Sequence, residues 1–181
     1  MPVDQVLLRD PLRLEAVDKA HQLMASLPVL LDEVAATAAR CLVAPMAVVS
    51  LVGEKEEFLA GVYDVSGGLL GHRHRSTTHW AGQYVVSSDR PVRSPDIFAE
   101  EDSTLRCHPL LPRRAVRALL SVPLTGDGGR TVGCLTVADV KTRQWSDEQG
   151  AQLGAVASLL HPHVLATAYP PSGVPDGGIR G

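Results

Sequence analysis

The chain has 181 residues, of which 45% are hydrophobic, 20% are charged and only 4% are aromatic, and its formal net charge is −3. This length and composition are typical of one soluble globular domain, and the acidic balance argues against nucleic-acid binding, which needs clustered lysine and arginine. No apolar run reaches the length of a membrane span, and three cysteines without regular spacing indicate a reducing compartment. We therefore expect a cytoplasmic protein that binds neither nucleic acid nor membranes.

The N-terminal third predicts helices followed by strands. Asp10-Pro11 is typical of a helix start, with aspartate as the N-cap and proline in the first turn. Apolar residues then recur at helical spacing as far as Leu42, with a break at Ser26-Leu27-Pro28. The valine-rich run 46–52 predicts a buried strand, and residues 58–63 predict the strand that returns beside it.

The middle of the chain predicts a helix over 79–87, a short strand over 91–94, and a long connection over 95–114 with one short helix near 98–101. Residues 116–124 and 131–139 predict a hairpin, because the turn between them is rich in glycines, which tolerate positive φ.

Near the C-terminus, Ser146 and Gln149 have the spacing of a capping box and predict the start of the last long helix. Strands grouped together between helices favour an α+β domain, with helices packed on one face of an antiparallel sheet.

Several of these segments, taken in order, resemble the GAF domain family. The resemblance includes a strand that ends in valine-proline-leucine, a glycine turn, a Gly-x-Leu strand and an acidic helix start; the segments that carry it are 44–52, 79–86, 90–96, 116–124, 128–139 and 143–148. It implies a six-stranded antiparallel sheet with helices on one face and loops that form a ligand pocket on the other. It divides the chain into an N-terminal extension (1–9), a GAF-like domain (10–167) and a flexible tail rich in proline and glycine (168–181).

The resemblance also implies a small-molecule pocket, with the loop 99–114 as its lid. The residues expected to line it are Trp80, Gln83, Tyr84, Asp96, Cys107, His108, Leu120 and Cys134. The identity of the ligand stays open. Family members that bind cyclic nucleotides share an Asn-Lys signature, and this chain contains no asparagine, so that class loses most of its support.

A haem- or bilin-bearing sensor of light, gas or redox state is the main alternative. Residues 103–108 resemble the segment through which some family members attach a bilin, and His108 next to Cys107 could take the thiol proton. His79 is the candidate axial ligand for a haem. The more ordinary interpretation is an exposed cysteine and a solvated or helix-capping histidine, so the cofactor is left unknown.

Catalysis and metal binding are not predicted. A small group of GAF proteins reduces free methionine sulfoxide with cysteines around the pocket, but Cys41 and Cys134 fall on apolar stretches where thiols are usually inert. An enzyme of that type is therefore a weaker alternative. His72 and His74 alternate with arginines that would repel a divalent cation, so we predict no metal site.

The expected function is that of a stand-alone sensory or regulatory module, which binds a small molecule or a protein partner. The chain contains no kinase, cyclase or DNA-binding segment, so we expect a protein partner to supply the output. A homodimer is also expected, since the helices over 11–42 and 146–166 carry apolar residues that fall off the main stripe, among them Leu12, Leu23, Leu27, Val29 and Leu31.

Overall fold

The computed structural model describes residues 3–65, 74–76, 81–100 and 116–164. The helices are α1 (Gln5–Leu8), α2 (Pro11–Met24), α3 (Pro28–Leu42), α4 (Ala81–Ser88), α5 (Asp147–Ser158) and α6 (His161–Val164). The strands are β1 (Met46–Val52), β2 (Glu56–Asp64), β3 (His74–Ser76), β4 (Val92–Ser94), β5 (Ala118–Thr125) and β6 (Thr131–Asp139).

The strands within these ranges form one sheet in the order β3-β2-β1-β6-β5-β4, and every neighbouring pair is antiparallel. The four long strands lie in the middle, and β3 and β4, with three residues each, lie at the edges. The predicted α+β class with an antiparallel sheet is therefore confirmed.

The first face of the sheet is covered by α2, α3 and α5, which share one large apolar core with it. From β1 this core takes Ala47, Val49 and Leu51. The approach of α3 to β2 is so close that a Cβ on Gly61 would lie 2.3 Å from the carbonyl oxygen of Leu31. Only glycine fits at this crossing, which sets how tightly the helical layer lies on the sheet.

The second face of the sheet carries α4. The alternate side chains of β1, Met46 and Val48, pack with Ala81 and Tyr84 of that helix. The long helices thus pack on one face, as predicted, while α4 forms a separate layer on the face where the pocket was expected.

The N-terminal residues join the second layer. Leu8 of α1 packs against Val52 of β1 and Val86 of α4. The backbone N–H of Asp4 donates to Ser87 Oγ at 2.9 Å. The predicted division of the chain at residues 1–9 and 168–181 stays a prediction, and the tail lies outside the described residues.

The helix and turn signals of the sequence are confirmed in detail. Asp10 caps α2 by accepting from the N–H of Leu12 at 3.1 Å. Ser146 and Gln149 form the reciprocal capping box of α5. In the β5–β6 turn, Gly128 and Gly129 take φ values of 68° and 72°, which side chains other than glycine seldom adopt.

The short helix predicted near 98–101 is wrong for the part that the structure describes, where residues 97–99 form a turn. The side chain of Asp96 accepts from the N–H of Phe98 at 3.1 Å, and its carbonyl accepts from the N–H of Ala99 at 2.9 Å. These local bonds compete with a helix for the same donors.

Three of the five residues expected on a dimer surface are exposed, namely Leu12, Leu23 and Val29. Leu27 is half-buried against the first-face core. The expectation for Leu31 is wrong, because its side chain is only 1% exposed and packs within that core.

No helix within the described ranges is both long and apolar enough to cross a bilayer. The cytoplasmic location stays a prediction.

Candidate functional site

Three of the predicted pocket residues lie in the layer on the second face. Gln83 and Tyr84 lie on α4 and are buried, and Cys134 lies on β6 with its thiol fully buried. Trp80, Cys107, His108 and the candidate haem ligand His79 lie outside the described residues.

Leu120 does not join them. Side chains of β5 alternate between the faces: Leu119 packs with α4 on the second face, and Leu120 packs in the first-face core. A residue beneath the long helices cannot line a pocket on the opposite face, so the assignment of Leu120 is corrected here.

Asp96 follows β4 and is partly buried. Its carboxylate accepts two hydrogen bonds from Arg117, whose guanidinium also lies over the ring of Phe98 at 5.2 Å. The hydrogen bond from Arg117 holds the pKa of Asp96 below its usual value. This carboxylate is engaged within the protein itself.

A band of small polar side chains crosses the second face, and we call Ser50, Ser121, Cys134 and Thr136 the polar layer. All four are buried. Ser50 Oγ lies 3.3 Å from Cys134 Sγ, and Thr136 Oγ1 lies 3.5 Å from that sulfur and 2.5 Å from Ser121 Oγ. The layer is therefore one hydrogen-bonded chain across β1, β6 and β5.

A buried carboxylate, that of Glu57, lies between α4 and the sheet. Glu57 of β2 is fully buried. A Cβ on Gly82 of α4 would lie 2.8 Å from Glu57 Oε1 and 2.6 Å from Val52 Cγ2. Glycine at this position lets α4 approach the carboxylate and the sheet together.

The thiol of Cys134 is not a nucleophile in this setting. Burial, assisted by the negative charge of Glu57, raises its pKa to about 12, although hydrogen bonds with Ser50, Thr136 and Ser121 oppose the rise. The thiol stays protonated at neutral pH, and a protonated thiol is a poor nucleophile and a poor metal ligand.

The side-chain amide of Gln83 is the other notable polar group of this layer. Gln83 is 95% buried, and within the described structure no atom accepts a hydrogen bond from its Nε2. An amide donor left in this state costs about 1–3 kcal/mol of stability, which an acceptor on a bound molecule would recover.

Cys41 is exposed on α3, which packs on the first face, so it lies across the sheet from the polar layer. Among the described residues, no group of three histidine, cysteine, aspartate or glutamate side chains is placed to hold a metal ion.

The sequence analysis missed Ser50, Ser121, Thr136 and Glu57 as candidates. A signal was present, because each of the first three interrupts an apolar strand. Their assembly on one face depends on the register in which Ser50 faces Cys134 and Ser121 faces Thr136, and that register is a tertiary property.

Comparison with known proteins identifies a family for most of the chain. The family model described as GAF domain matches residues 24–161. None of the curated proteins compared with the chain matches it.

Solved structures share the fold at low sequence identity. The GAF domain of the phosphoenolpyruvate-protein phosphotransferase from Acinetobacter has 15% identity and a TM-score of 0.60, with 86% of this chain and 94% of that chain covered. The type II free methionine-R-sulfoxide reductase from Thermoplasma acidophilum has 15% identity and a TM-score of 0.62, with 78% of this chain and 94% of that chain covered.

The blue-light absorbing form of the PixJ GAF domain from Thermosynechococcus elongatus has 18% identity and a TM-score of 0.57, with 81% of this chain and 85% of that chain covered. At these identities the similarity supports the fold alone.

Proposed function

Because the chain belongs to the GAF domain family, we propose that it is a sensory or regulatory module whose ligand is a small polar molecule bound on the second face of the sheet, beside α4. The family carries the general role, since GAF domains serve as regulatory modules. The choice of face and the polar character of the ligand rest on the residues of this chain.

The observation that carries the proposal is the buried, unpartnered amide of Gln83 on α4, the helix that covers the face of the sheet carrying the polar layer. Polar groups buried without partners are rare in folded proteins, and each needs a physical reason. A ligand that offers an acceptor to Gln83 Nε2 supplies one. The hydroxyls of the polar layer already bond to one another, so they form a polar floor rather than the primary contact.

The module signals through its helices. α4 packs on β1, β5 and β6 and also contacts α1, so a ligand that displaces α4 also moves the N-terminal helices. Leu12, Leu23, Val29 and Leu159 are exposed on α2, α3 and the end of α5. A second copy or a protein partner covers this apolar surface and reads the displacement.

The proposed role is not enzymatic. One structural neighbour is a free methionine-R-sulfoxide reductase. In this chain the thiol of Cys134 is protonated, and the exposed Cys41 lies on the opposite side of the sheet. Sulfoxide reduction requires a reactive thiolate, which the protonated thiol of Cys134 does not offer, and Cys107 lies outside the described residues.

Native mass spectrometry of the protein purified from cells tests the proposal, with a Gln83→Leu variant. We expect the wild-type chain to carry or take up a small molecule, and Gln83→Leu to lose it, because leucine fills the space without the amide. Gln152→Leu, on the exposed face of α5, is the matched control and keeps the ligand. A wild-type protein that retains no molecule and gains no thermal stability from any of a set of polar metabolites contradicts the proposal.

An absorption spectrum of the same sample tests the chromophore alternative. A haem produces a Soret band and a bilin produces a visible band, whereas the proposed ligand absorbs in neither region. A band that survives denaturation indicates a covalent bilin, with Cys107 the candidate attachment residue.

A further inference from the structure

A cavity of about 180 Å³ lies where α1, α2, the end of α4 and the β5–β6 turn meet. Its walls include Leu7, Asp10, Arg13, Val86, Asp89 and Arg130. Leu7, Asp10 and Arg13 precede the segment 24–161 that matches the family. The N-terminal residues therefore supply part of the cavity wall, and none of its lining residues belongs to the polar layer.

Arg13 brings a buried positive charge to one wall. Its side chain is 97% buried, and its guanidinium donates to the carbonyls of Leu7 at 3.1 Å, Leu8 at 2.7 Å and Val52 at 2.6 Å. These acceptors use three of its five N–H groups but carry no charge. Within the described part of the chain, no carboxylate comes within ion-pair distance of it. Burial lowers the pKa of Arg13, and the nearby carboxylate of Asp10 opposes this only in part and is itself paired with Arg130. Buried charges are normally balanced by an opposite charge, so a further anionic group is favoured here.

Asp89, an exposed residue, brings a negative charge to another wall. It follows the last residue of α4, where the carbonyl end of the helix also favours a cation. Its backbone has a φ of 50°, and its carboxylate accepts a hydrogen bond from the hydroxyl of Thr131. Among the residues that the structure describes, no lysine or arginine pairs with it.

The remaining two charges of the cavity neutralise each other. Arg130 Nε lies 3.3 Å from Asp10 Oδ2, and Asp10 also accepts from the N–H of Leu12. What remains is a cation from Arg13 and an anion from Asp89 on different elements around one small cavity. A molecule with both charges can pair its carboxylate with the buried Arg13 and its ammonium group with Asp89, whereas a monoanion or a monocation pairs with only one of them.

We propose that this cavity binds a small zwitterion of the class to which free α-amino acids belong. Its carboxylate lies toward Arg13, and its ammonium group lies toward Asp89. Apolar contacts from Leu7 and Val86 accommodate a short side chain. Binding here joins α1 and α2 to the end of α4 and to the β5–β6 turn.

Isothermal titration of the full chain with glycine and L-alanine tests the proposal, with acetate and methylammonium as single-charge controls at equal ionic strength. We expect saturable binding of both amino acids and at least about tenfold weaker binding of either single ion. Asp89→Asn keeps an acceptor for Thr131 but removes the charge, so the Kd for glycine rises about tenfold or more. Asp127→Asn is the matched control. Asp127 lies in the β5–β6 turn but does not line the cavity, so its replacement leaves the Kd for glycine unchanged.

Arg13 also holds α1 in place, so the decisive charge change is made at Asp89 rather than there. Amide NMR shifts locate the bound molecule, and we expect glycine to move the signals of Gly129, Arg130 and Thr131 and to leave those of Cys134 and Leu135 in place. Three outcomes overturn the proposal: no saturable binding at about 10 mM amino acid, acetate that binds as tightly as glycine, or shifts confined to the polar layer. The last of these would still agree with the proposed function, while a failure of that function leaves the titration at this cavity unaffected.

Discussion

Arg117 holds Asp96 through two parallel hydrogen bonds, from Nε to Oδ1 at 3.0 Å and from Nη2 to Oδ2 at 2.5 Å. Beside them the N–H of Ile97 donates to the carbonyl of Arg117 at 2.7 Å. Together these bonds join the segment after β4 to the residue just before β5, at one end of the sheet. The two residues therefore fix where the long connection between these strands leaves and returns.

This ion pair makes stability depend on pH in one direction. The hydrogen bond from Arg117 lowers the pKa of Asp96 below 3.8, its ordinary value, so the pair stabilises the fold fully above that pH. The stabilisation is lost as the pH falls through the lower pKa of the folded state. We expect Asp96→Asn to lower the urea midpoint at neutral pH, and the difference from wild type to vanish in strong acid.

Asp18→Asn is the control for this measurement, since it removes an exposed carboxylate of α2 that has no ion pair within the described residues. A difference between wild type and Asp96→Asn that stays constant down to the acid limit would show that the charge of Asp96 is irrelevant.

The contact of Gly61 with α3 predicts a large effect from a single methyl group. In Gly61→Ala the new Cβ would meet the backbone of Leu31, which cannot move aside as a side chain could. We expect a loss of at least about 2 kcal/mol in the free energy of unfolding. Gly154→Ala is the matched control, because its Cβ meets open space on α5, and it should stabilise the chain by about 0.5–1 kcal/mol. Equal effects of the two substitutions in urea unfolding would refute the close approach.

Cys134 should resist alkylation in the folded protein. With a pKa of about 12, on the order of 10⁻⁵ of its thiol is ionised at pH 7, and the group is also fully buried. We expect iodoacetamide to label the exposed Cys41 within minutes and Cys134 only after denaturation, as read from the masses of the two peptides. Native labelling of both at similar rates would remove the basis for calling the Cys134 thiol inert.

The exposed leucines of the N-terminal helices predict a homodimer that one charge disrupts. Light scattering at micromolar concentration should give twice the mass of one chain for the wild type. Leu23→Glu should give a single-chain mass, because a buried glutamate at the interface lacks a partner. Val65→Glu, on an exposed residue after β2, should leave the dimer intact. A single-chain mass for the wild type would contradict the proposed self-association.

Local signals predicted most of the elements and little of how they face one another. Asp10-Pro11, the Ser146 capping box and the glycine turn each act within a few residues, so they could be interpreted directly. The face of the sheet on which Leu120 lies could not be predicted, because every residue of β1 and nearly every residue of β5 is buried. A strand with both faces covered has no polar alternation to show which side chains point to α4.

The burial of Arg13 is indicated by its position in the sequence. It lies on the buried stripe of α2 with Ala16, Val17, Ala20 and Met24, a helical spacing at which an arginine is unusual. What it binds could not be predicted, since two of its acceptors end α1 and the third ends β1. The cavity beside it depends on four elements that meet only in the folded chain.

The strand order has a consequence for synthesis on the ribosome. β1 lies at the centre of the sheet, and its neighbour β6 comes from the C-terminal half of the chain, with Val49 opposite Leu135. β1 can pair early with β2 and pack against α3, but its other edge lacks a partner until β6 has left the ribosome. The centre of the sheet is completed only after residues 131–139 have been synthesised, so this pairing is a late step for the nascent chain.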